Sequence, residues 1–136
     1  MDKKGFTLTP QQRAKLAELG VVLCYLHGSV AKGLAREDSD IDVAVLFDRM
    51  LDDVIGATGA LIQALAGLAQ GRELDIAILN EASPLLKQIV ASTGKLLYAR
   101  STEDELRFQI RAMHEYEDSR HIVRLGQEIA MKRAGL

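Results

Sequence analysis

Gly28-Ser29 is followed, after a gap of ten residues, by Asp40-Ile41-Asp42, and a further acid, Asp75, stands in a later apolar run. Two carboxylates at positions i and i+2 of an extended segment point the same way and repel each other unless a cation lies between them. Magnesium suits that role, because it takes one or two carboxylates together with phosphate oxygens. Gly28 lets the backbone turn tightly and approach a ligand, while the amides after Ser29, opening a helical turn, cradle phosphate, with the Ser29 hydroxyl as an added donor. Asp75 could bind a second metal and activate an attacking hydroxyl, for in-line displacement at the α-phosphorus of a nucleoside triphosphate. Asp40, Asp42 and Asp75 are the candidate catalytic and metal-binding residues, and Gly28 and Ser29 the candidate nucleotide contacts. Gly33 and Ser39 join them as neighbours, although ordinary turn chemistry explains both equally well.

Strands have to bring these residues together. Val21 to Leu26 is short, apolar and partly β-branched, which predicts a buried strand ending in the turn at Gly28. The segment from Asp40 to Phe47 alternates, with Ile41, Val43, Val45 and Phe47 on one face and Asp40 and Asp42 on the other. Glu73 to Leu79 predicts a third strand, in which Asp75 opposes Leu74 and Ile76.

Helices fill the gaps. Thr9-Pro10-Gln11-Gln12 is a capping signal for a helix that Gly20 ends. Helical spacing runs from Leu51 to Ala69 with Gly71 as the stop, and Ser83-Pro84 opens a helix that Gly94 closes. Lys95 to Ala99 reads as a short strand, and Thr102-Glu103-Asp104-Glu105 as the capping box of a long helix over about 102–134. Its Leu106, Ile110, Met113, Leu125 and Ile129 predict a core-facing stripe under a solvated charged face, with a partner-binding role as the alternative. Interleaved strands and helices predict an α/β or α+β fold, a small mixed sheet flanked by helices.

With 136 residues, one domain over 1–136 is expected, its core at about 20–100. A formal charge of −2 argues against a protein that tracks long nucleic acids. Cys24 is the single cysteine and can make neither an internal disulfide nor a thiolate zinc cluster. The polar start and the lack of a long apolar run predict a soluble, cytoplasmic protein with no membrane partner. His27, His114 and His121 have no metal-ligand spacing, and Tyr98 and Tyr116 read as packing residues.

Gly28, Ser29, Asp40 and Asp42 together resemble the Gly-Ser, Asp-x-Asp signature of the DNA polymerase β nucleotidyltransferase superfamily. Four such fixed positions would arise by chance in a chain of this size about once in a thousand. The resemblance covers roughly residues 20–100 and is closest to the minimal nucleotidyltransferase (MNT) subgroup. It implies a polymerase β-like fold, ATP as substrate and Mg2+ as cofactor, with Lys32 as a nucleotide contact where the family often has arginine. Lysine keeps the charge there but loses the two-pronged donor geometry. Members similar to this are commonly encoded with a helical HEPN protein. Several are antitoxins that transfer AMP from ATP to a tyrosine of that ribonuclease toxin, so the resemblance implies a HEPN-family toxin as partner.

Two other functions compete with this one. The fold could neutralise a toxin by contact alone, or the same site could transfer a nucleotide to a small molecule or an RNA. The complete set of acids counts against the first reading. The small size and the missing basic groove count against the second.

Overall fold

A computed structural model describes residues 6–28, 33 and 39–136. Four strands, β1 (Val21–His27), β2 (Ile41–Phe47), β3 (Leu74–Ile78) and β4 (Lys95–Ala99), form one sheet in the order β3-β2-β1-β4. β1 runs antiparallel to both β2 and β4, whereas β2 and β3 are parallel. A parallel pair needs a crossover connection, and helix α2 (Val54–Ala64) lies in it. The remaining helices are α1 (Pro10–Leu19), α3 (Pro84–Thr93) and α4 (Thr102–Arg133). The expected mixed sheet flanked by helices is therefore what the chain forms.

The alternation of the strands divides the core in two. Cys24, Leu26, Ile41, Val43, Val45 and Phe47 pack with Leu16 of α1 and Leu61 of α2 on one face. Tyr25 and Ala44 pack with Val90 of α3 and with Phe108 and Ala112 of α4 on the other. Between Val21 and Leu23 the register shifts, so Val22 and Leu23 both join the second cluster.

Local signals act as their chemistry dictates. The Thr9 hydroxyl accepts from the Gln12 amide at 3.1 Å, the Gln12 side chain accepts from the Thr9 amide at 2.8 Å, and Gly20 ends α1 at φ +88°. Ser83 caps α3 by accepting from the Leu86 amide at 3.1 Å. After β3 a 3-10 turn, Leu79–Glu81, carries Asn80 to the end of β2. There Asn80 accepts from the Phe47 amide at 2.9 Å and donates to the carbonyls of Phe47 and Arg49 at 3.0 and 3.1 Å.

Three expectations need correction. The helix expected over 51–69 is confined to Val54–Ala64, started by Asp53, which accepts from the Gly56 amide at 2.9 Å. The chain then leaves the helix in turns that use left-handed backbone at Gly67, Gln70 and Gly71. Leu65, Leu68 and Ala69 are buried in those turns, so their apolar spacing mimics a helix. The cap of α4 is Ser101, not Thr102: its hydroxyl accepts from the Asp104 amide at 3.1 Å and donates to the Asp104 carboxylate at 2.8 Å. The stripe on α4 does not face the core. Phe108 and Ala112 are buried, while Leu106, Ile110, Met113, Leu125 and Ile129 are exposed. Among the described residues no helix is long and apolar enough to cross a membrane.

Candidate active site

Gly28 follows β1 directly and takes a left-handed backbone at φ +76°. A Cβ there would collide with the Asp42 carboxylate, so this position demands glycine both for its backbone angle and for space. In β2, Ile41 and Val43 point into the α1/α2 core, which turns Asp42 to the opposite face. Register does the rest: Asp42 pairs with His27 across the antiparallel ladder and with Asp75 across the parallel one. One row of three neighbouring strands thus carries His27, Asp42 and Asp75, beside the Gly28 turn.

Asp40 is exposed immediately before β2, Ser39 precedes it half-buried, and Gly33 is exposed in a turn at φ +73°. Ser29 and Lys32 lie outside the described residues. Asp42 is half-buried and Asp75 exposed.

Electrostatics mark Asp42 as the stressed member. Burial raises its pKa first. Asp75 and Asp40 push the same way, as does a hydrogen bond between the Asp42 and Asp75 carboxyls, against a partial offset from His27. Burial also lowers the pKa of His27, against the opposing pull of Asp42 and Asp75. The imidazole is therefore shifted toward its neutral form. His27 has no metal-ligand spacing in the sequence, and strand pairing brings it beside the acids. Its place next to Gly28 at a strand end was the available signal.

Crowded carboxylates with a space that only glycine leaves open are suited to a divalent cation. Among the described residues no three His, Cys, Asp or Glu side chains by themselves enclose a metal ion. A cavity of about 400 Å³ lies at the opposite end of the sheet, beside Val22 near the start of β1 and Phe47 at the end of β2. Ion pairs such as Lys87–Glu115 at 3.0 Å and Arg100–Asp104 at 2.9 Å already tie up charges that line it. The acids, at the other end, are the better place for chemistry.

Residues 13–103 match the family described as Polymerase beta, Nucleotidyltransferase. The chain belongs to that family. Within it, the chain is 38% identical over 95 residues to the protein adenylyltransferase MntA of Shewanella oneidensis. The match takes in 70% of this chain and 66% of that protein, so just under two thirds of the relative's length is spanned. In a crystal structure of a toxin-antitoxin with AMP-PNP, one chain superposes with a TM-score of 0.67 at 30% identity, over 88% of this chain and 98% of that one. A structure of a tri-AMPylated Shewanella oneidensis HEPN toxin in complex with an MNT antitoxin gives a TM-score of 0.61 at 28% identity, covering 88% and 96% of the two chains. This nucleotidyltransferase thus shares its fold with chains from toxin-antitoxin complexes.

Proposed function

We propose that this nucleotidyltransferase is a protein adenylyltransferase and antitoxin, transferring AMP from MgATP to a tyrosine hydroxyl of a HEPN-family toxin. The observation that carries the reading is the pairing of Asp42 with Asp75 across parallel strands, beside a Gly28 whose missing Cβ leaves room at the Asp42 carboxylate. The adenylyltransferase name of the Shewanella relative and the AMPylated toxin in the related complex support the choice of reaction and acceptor. The toxin-antitoxin structure with AMP-PNP supports an adenine nucleotide as donor. The buried, unpaired thiol of Cys24 fits a cytoplasmic location.

Asp40, Asp42 and Asp75 would hold magnesium, which when bound neutralises phosphate charge and polarises the α-phosphoryl group. Gly28, Ser29, Lys32, Gly33 and Ser39 are assigned to the nucleotide. β3 is an edge strand and Asp75 is exposed on it, so an acceptor carried by another protein reaches this carboxylate from solvent. In the transfer, the tyrosine oxygen bonds to the α-phosphorus, the bond to the β-phosphate oxygen breaks, and pyrophosphate leaves. The Asp75 carboxylate takes the hydroxyl proton.

Mass spectrometry of a co-purified HEPN partner, incubated with this protein, Mg2+ and ATP, tests the reading. The expected result is a gain in AMP units on a tyrosine, reduced at least about a hundredfold in Asp42→Asn and Asp75→Asn. Neutralisation of the toxin without any mass gain would replace it by an antitoxin that acts through contact.

A further inference from the structure

Helix α4 extends about 48 Å at 1.5 Å per residue, but only its first half touches the body of the protein. Every residue from His121 onward is exposed. An isolated helical segment of this length is marginal in water, and Gly126 in its interior weakens it by a further ~1 kcal/mol relative to alanine. Val123 and Met131 are exposed on other faces of this half, but three of its apolar residues share one face. Ile122, Leu125 and Ile129, at 67%, 45% and 52% exposure, follow i, i+3, i+7 spacing and form one narrow stripe.

The charges around the stripe are polar in order. Asp118 lies before it on the same side of the helix, and Lys132 and Arg133 lie after it. None of the three makes an ion pair within the chain among the described residues. Such a stripe is complementary to itself in reverse. In an antiparallel pair centred between Leu125 and Gly126, Ile122 meets Ile129 of the second copy, and Leu125 meets Gly126. No neighbour occupies the space that a Cβ on Gly126 would enter. Asp118 of each copy then stands beside Lys132 and Arg133 of the other, and the arrangement closes as a two-fold dimer.

We infer that the outer half of α4 is a homodimerisation surface, with a second copy of this chain packed antiparallel along Ile122, Leu125 and Ile129. The occupant is chosen by this charge order, which an unrelated partner has no reason to mirror. The inference stands apart from AMP transfer, since none of these residues belongs to the candidate active site.

Sedimentation equilibrium of the purified full chain, at concentrations up to on the order of 50 µM, is the test. The expected result is a dimer that Leu125→Asp converts to monomer. Asp118→Lys should raise the dimer dissociation constant by about tenfold, and adding Lys132→Glu and Arg133→Glu to the same chain should restore it. The charge variants stay on the surface and keep the test valid should Leu125→Asp fold poorly. A monomer at all concentrations, or a dimer insensitive to Leu125→Asp, overturns the inference. Absence of charge rescue also overturns it, and a monomer whose binding to a HEPN partner is lost in Leu125→Asp reassigns the stripe to that partner.

Discussion

Burial, Asp75 and Asp40 all oppose ionisation of Asp42, and the neighbouring His27 is held toward neutrality. Because the folded-state pKa of Asp42 is raised above its unfolded value of 3.8, the fold favours the protonated carboxyl. That contribution is fully present below the unfolded pKa and is lost as pH rises through the raised one. Near neutral pH, without a cation, the ionised residue weakens the fold. Asp42→Asn should therefore raise the melting temperature of EDTA-treated protein at about pH 7, by roughly 2 °C once the partial exposure of the site is allowed for. MgATP should stabilise the parent chain but not the variant. Calorimetry with and without MgATP decides it, and a lower melting temperature for the EDTA-treated variant would show that the carboxylate is not strained. The tight turn at Gly28 and the face of β2 that carries Asp42 were legible in the sequence, because both rest on residue type and spacing. The place of His27 beside Asp42 was not, since it comes from strand pairing.

At the scale of elements, the connection after β3 matters more than its three residues suggest. Asn80 closes the end of β2 through three hydrogen bonds to backbone, one of them to the Phe47 amide. Asn80→Ala leaves that amide without its partner, and a loss of about 1–3 kcal/mol in stability is expected from urea unfolding. AMP transfer per folded molecule should persist, because Asn80 sits at the end of the sheet remote from Asp42. Most elements were predictable where caps marked them, as at Thr9, Ser83 and the start of α4. The end of α2 was not, because buried Leu65, Leu68 and Ala69 keep a helical rhythm while the backbone turns through Gly67 and Gly71. Hydrophobic spacing reports which residues are buried, not which backbone path buries them.

For the whole molecule, the attachment of α4 is the weak join. Phe108 and Ala112 are its buried residues, with the Phe108 ring 5.7 Å from that of Tyr25 and tilted by 41°, and Lys87 of α3 adds a 3.0 Å pair with Glu115. Phe108→Ala should cost about 3–5 kcal/mol and release α4 to proteolysis before the sheet unfolds. Limited proteolysis followed by mass analysis checks this, and a loss under about 1 kcal/mol would mean that α4 is held elsewhere. Leu106, Ile110 and Met113 are exposed and are not among its buried contacts.

Local chemistry, readable from the chain alone, determined the strand alternation that turns Asp42 away from Ile41 and Val43, the caps that start the helices, and the glycine that the turn after β1 requires. Each of these depends on residues within a few positions of one another. Only the tertiary structure decided that Asp75 pairs with Asp42 in parallel register, that His27 completes the row, and that α4 leaves an apolar stripe uncovered. Those facts depend on which strand lies beside which and on how far the sheet reaches along α4. Long-range packing sets both, and no spacing within a single segment encodes it.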